Sequence, residues 1–159
     1  VIRHGLYRTN QVSFATTMIQ LAPKKAASDF LDYLSLASPE ELRQLNQENV
    51  NIYVCTQILN HLQRVEVPIS HRHFSHLFYY AISRNLGIAQ MARNVLDNYM
   101  SQSPNHLAFL LAKLPTWAQL AYIEGSKKKM TPVIGGFFSE LKKISVQREV
   151  IDEINSIRR

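Results

Sequence analysis

One cysteine and five glycines stand among 159 residues, and that scarcity excludes several kinds of protein at once. A single thiol rules out an internal disulfide framework and any multi-cysteine zinc or iron–sulfur site within this chain. Its setting, Ile52-Tyr53-Val54-Cys55-Thr56, falls on a predicted helix with no partnered base at close spacing, so Cys55 is expected to be a small buried hydrophobe. No apolar run approaches the ~20 residues of a membrane-spanning helix, in keeping with a mean hydropathy of -0.15. Strand signals are few. The β-branched cluster outside the helical patterns is Val65-Glu66-Val67-Pro68-Ile69, and its proline suits a connector better than a central strand. The adjacent glycines of Val133-Ile134-Gly135-Gly136-Phe137-Phe138 lack the Lys-Ser/Thr of a phosphate loop, and close helix packing or a kink is expected there. The acids are dispersed, and no Ser/His/Asp or paired-carboxylate pattern emerges, so the chain is expected to be no enzyme and to need no cofactor.

What is present is an ordinary globular composition, 46% hydrophobic, in a chain long enough to bury a core. A single domain over residues 1–159 is expected, and the opening on Val1 rather than Met suggests a fragment or a processed form. The net charge of +6 favours acidic partners such as nucleic acid or an anionic surface. Residues 126–159 hold Lys127, Lys128, Lys129, Lys142, Lys143, Arg148, Arg158 and Arg159 against Glu140, Glu149, Asp152 and Glu153, so this basic C-terminal helical segment carries +4 of the +6.

Helix punctuation recurs along the chain. Ser38-Pro39-Glu40-Glu41 combines an N-cap, a proline at the first helical position and an acid placed to complete a capping box. Ser103-Pro104 and Thr131-Pro132 repeat the cap-then-proline device. Apolar residues follow the i, i+3, i+4, i+7 spacing at Phe74, Leu77, Phe78 and Ala81, and again at Ile88, Met91, Ala92, Val95, Leu96 and Tyr99. Further stripes run through Ala27, Phe30, Leu31 and Leu34, through Cys55, Ile58, Leu59 and Leu62, through Leu107, Leu110, Leu111 and Leu114, through Phe137, Phe138 and Leu141, and through Val146, Val150, Ile154 and Ile157. The pattern predicts an all-α fold with helices near 10–21, 24–36, 39–47, 51–64, 71–85, 88–101, 104–113, 116–124, 132–143 and 145–158. Short amphipathic helices joined by short turns predict stacked antiparallel hairpins, an α-solenoid fragment; a closed irregular bundle is the alternative. Helix starts at Asn51, Ser70, Ser103 and Thr131 are spaced by 19, 33 and 28 residues, and the middle interval falls within the range of about 33 to 36 residues of helical-hairpin repeats.

The stretch from Phe74 to Met100 resembles a pentatricopeptide-type repeat. Phe74, Leu77 and Phe78 match the apolar positions of that repeat's first helix, and Gly87, Ala92, Leu96 and Tyr99 match its turn and second helix. The first helix is about two residues too long before Gly87, and Ser101-Gln102-Ser103-Pro104 replaces the usual closing loop. The tetratricopeptide family shares the small Ala in the second helix. The first resemblance implies a non-catalytic module that binds single-stranded RNA in stability, processing or translation of a transcript, with a mitochondrial matrix location; the second implies a protein-interaction scaffold. Independently of any family, Ala92 is expected where two helices cross closely, and Gly87 is expected to end the first helix in the left-handed conformation.

Candidate binding residues follow. Within Ser70-His71-Arg72-His73-Phe74-Ser75-His76, the pair His73 and His76 at i, i+3 with His61 as a distant third admits a metal, but a solvated helix start accounts for them more simply. If the hairpin belongs to an RNA-binding solenoid, the exposed side of its first helix carries Arg72, Ser75, His76 and Tyr79, a set able to touch phosphate, hydrogen-bond a base edge and stack on a base. Lys127, Lys128 and Lys129 form a basic loop suited to phosphate, while Lys142 and Lys143 close the next helix, where the dipole also favours cations. A helix-turn-helix DNA reader around Asn85–Met100 fits poorly, because Gly87 lies six residues beyond Ala81. Trp117 and the seven tyrosines are expected in core or rim positions.

Overall fold

The computed structural model describes residues 17–35, 52–65 and 68–157. Among these the chain is all-α, with no strand. Residues 17–21 are helical, and α1 (Pro23–Leu34), α2 (Ile52–Leu62), α3 (His71–Ala81), α4 (Leu86–Met100), α5 (Pro104–Ala112), α6 (Thr116–Ser126), α7 (Pro132–Ile144) and α8 (Arg148–Asn155) follow, with a 3-10 turn at Lys127–Lys129 after α6. The helix predicted over 39–47 with its Ser38-Pro39 cap, and the start of the one predicted over 10–21, lie outside the described residues. No helix among the described residues is long and apolar enough to cross a membrane.

The chain divides into two compact units, Val1–Val95 and Leu96–Arg159, with the boundary inside α4. In the first unit α1 packs on α2 and α3. Phe30, Leu31 and Leu34 of α1, Cys55, Ile58, Leu59 and Leu62 of α2, and Phe74, Leu77 and Phe78 of α3 are all buried, as their helical spacing predicts, and Val54 of α2 is buried with them. Two polar anchors tie these helices. The Tyr80 hydroxyl donates to the Leu34 carbonyl at 3.0 Å, and buried His61 donates through Nε2 to the Pro23 carbonyl at 2.9 Å while its ring meets Phe30 edge-on.

In the second unit α7 packs on α5 and α8, and α8 on α6. Tyr122 of α6 sets its ring edge-on to Phe137 and Phe138 of α7, with centroids 6.1 and 6.4 Å apart. Gln119, also buried, donates to the carbonyls of Ala112 and Leu114 and so satisfies the open C-terminal end of α5.

Three local expectations are corrected. The first helix of the Phe74–Met100 stretch ends at Ala81 rather than at Gly87, and Asn85 starts the second: its Oδ1 accepts from the Ile88 N–H at 3.1 Å. Gly87 therefore sits in the first turn of α4, on ordinary negative-φ backbone, because a side-chain acceptor at the N-cap already organises that turn. Gly135 and Gly136 admit no neighbouring helix among the described residues: nothing comes within 4 Å of where a Cβ would stand on either one, and both are exposed. Val146, placed by spacing in the last apolar stripe, precedes α8 and is 95% exposed, since the chain is extended at Ser145 and Gln147.

Candidate nucleic-acid interface

Ser70 opens α3 as a working N-cap, its Oγ accepting from the His73 N–H at 3.3 Å and contacting His73 Nδ1 at 3.0 Å. That capping fixes the His73 ring, whose Nε2 reaches Asp32 Oδ1 of α1 at 2.9 Å. Arg72 approaches the same carboxylate oxygen at 3.5 Å. Arg72 and Asp32 are both well exposed, so this pair is worth little to stability and an anionic ligand can compete for the guanidinium. Ser75 turns its hydroxyl back onto the His71 carbonyl at 3.1 Å, and His76 donates through Nδ1 to the Arg72 carbonyl at 3.0 Å, which leaves its Nε2 as an acceptor in the neutral ring.

Tyr79 departs from the predicted face. It is only 8% exposed, so its ring is part of the apolar side of α3 and has no face open for stacking on a base. At 100° per residue Tyr79 lies between Phe78 and Tyr80, and the buried arc of α3 is broad enough to take all three. Arg72, Ser75 and His76 thus remain together on the accessible part of α3.

The five candidate lysines belong to the second unit and separate into two groups. Lys127 bridges Glu124, at 3.0 Å, and Glu153 of α8; the two carboxylates hold its ammonium above the ordinary lysine range, and Lys127 in turn holds Glu124 below the usual glutamate range. Lys143 pairs with Glu140 one turn back, at 3.3 Å. Lys128, Lys129 and Lys142 are exposed and make no ion pair among the described residues. The triplet thus acts unevenly: its first lysine fastens the 3-10 turn to α8, and the other two face water.

Cys55 is fully buried, and burial pushes its thiol up to about 12, so it is a packing residue. His61 is committed to the Pro23 carbonyl, and among the described residues no group of three His, Cys, Asp or Glu side chains is placed to hold a metal ion. Sequence reasoning missed Asp32, the partner of both Arg72 and His73. No local signal could have found it, since it stands 40 residues before Arg72 and meets it only through the packing of α1 on α3. Comparison with protein-family models, with curated proteins and with solved structures gave no match.

Proposed function

We propose that this chain is a non-catalytic helical module that binds single-stranded RNA through its phosphates. The observation that supports it best is the set of exposed lysines without a carboxylate partner among the described residues, Lys128, Lys129 and Lys142, on an all-α unit of a basic protein. Arg72, Ser75 and His76 supply a second, mixed polar surface on α3, where a guanidinium shared with one exposed carboxylate is available to phosphate and an imidazole nitrogen to a base edge. Tyr79 is not part of this reading. The pentatricopeptide resemblance of residues 74–100 adds the solenoid arrangement and the handling of a mitochondrial transcript; a tetratricopeptide-like scaffold for a protein partner is the competing reading.

The test is fluorescence anisotropy of the purified chain with single-stranded RNA across a salt series. Three phosphate contacts give a slope of log affinity against log salt of about -2. An affinity that does not respond to salt, or a stoichiometric protein partner retained after nuclease treatment in place of RNA, would sink the proposal.

A further inference from the structure

Between α7 and the end of α8 lies a half-open groove of about 530 Å³, within the range of about 300–1,000 Å³ of small-ligand sites. Its apolar walls are Met130, Pro132, Phe138, Ile154 and Ile157, and four polar side chains share the same lining: Thr131, whose hydroxyl caps α7, and Ser139, Lys142 and Asn155. Ser139, Lys142 and Asn155 are exposed, and none of the three is engaged in a side-chain hydrogen bond or ion pair among the described residues, so all three are open to a ligand in place of water. The groove therefore joins a greasy body to a cluster of unspent donors, one of them charged.

Gly135 forms the open wall. In a helix interior glycine costs about 1 kcal/mol relative to alanine, and here no atom of the described residues outside its own helical turn stands within 4 Å of the missing Cβ. Packing among the described residues gives no reason for the absent side chain, and Gly135 is one of the residues that line the groove, so a bulky side chain there would compete for its space.

We propose that this groove binds a small amphipathic carboxylate of the fatty-acid class, its head on Lys142, Ser139 and Asn155 and its apolar body along Phe138, Ile154 and Ile157. The charge count selects the head: one ammonium matches one negative charge, while a phosphate monoester, at about -2, would leave a charge unbalanced. The site shares Lys142 with the RNA reading but does not rest on it, since its apolar walls and Gly135 play no part in phosphate binding.

The probe is dodecanoate below its aggregation concentration, titrated into the full chain and followed by amide NMR. Saturable one-to-one binding is expected, with shifts at Gly135, Ser139 and Asn155. Lys142→Gln should weaken it about tenfold or more, the loss of one charge-assisted hydrogen bond, and dodecanol should bind weaker than dodecanoate by a similar factor. Gly135→Leu should abolish binding, whereas Gly136→Leu, the same change one residue outside the groove, should leave it intact. Both Leu variants should unfold at or above the wild-type temperature, because both Cβ positions are open. Equal binding by Gly135→Leu, equal binding of dodecanol, or no saturation would each overturn the proposal.

Discussion

The Cys55 thiol lies 4.0 Å from the Tyr80 hydroxyl inside the first unit, and desolvation outweighs that contact in pushing its pKa up to about 12. The folded value stands above the unfolded one. The neutral thiol's contribution to stability is therefore whole below about 9 and is lost as pH rises toward 12. A disulfide reagent at pH 8 should label the protein only after denaturation, and urea midpoints should fall between pH 8 and pH 10.5; rapid labelling of the native chain would contradict the burial. The burial of Cys55 was legible from its helical spacing alone. The role of the α7 glycines was not, because a glycine pair reads alike whether a helix, a ligand or nothing lies beside it. With open space at both, Gly135→Ala and Gly136→Ala should each raise stability by about 0.5–1 kcal/mol, measured by chemical unfolding.

At the level of elements, cap chemistry placed helix starts well where the capping residue had no competitor. Thr131 accepts from the Ile134 N–H at 3.2 Å with Pro132 at the first helical position, so Thr131→Ala should cost about 1 kcal/mol in thermal or urea unfolding. Ser103 precedes Pro104 in the same way, yet its hydroxyl makes no cap bond, and the proline alone marks the start of α5. The turn between α3 and α4 was misjudged because Gly87 and Asn85 signal opposite ends of a helix two residues apart, and the Asn85 side-chain bond decides between them. Ties between helices distant in sequence had no local signal. Tyr80 reaches Leu34 across 46 residues, and Tyr80→Phe, which leaves that buried carbonyl short of a donor, should cost about 1–3 kcal/mol in urea unfolding.

For the whole molecule the decisive quantity is which charges remain after folding. Lys127 and Lys142 are equivalent in a sum of charges, but Lys127 is balanced by Glu124 and Glu153 while Lys142 has no such partner among the described residues. Lys142→Gln and the double change of Lys128 and Lys129 to Gln should therefore lower RNA affinity and flatten its salt slope. Lys127→Gln should leave RNA affinity nearly unchanged and lower thermal stability instead. Equal effects of all these substitutions on RNA binding would mean that net charge alone matters. By itself the sequence determined the all-α class, most helix positions and most of the buried faces, because helical periodicity and caps act over three or four residues. Only the tertiary structure decided that Tyr79 is buried, that Arg72 shares Asp32, that two of the five lysines are already paired, and that Gly135 opens a groove. Each of these depends on which side chain from a distant part of the chain arrives within a few ångströms, and no local pattern carries that information.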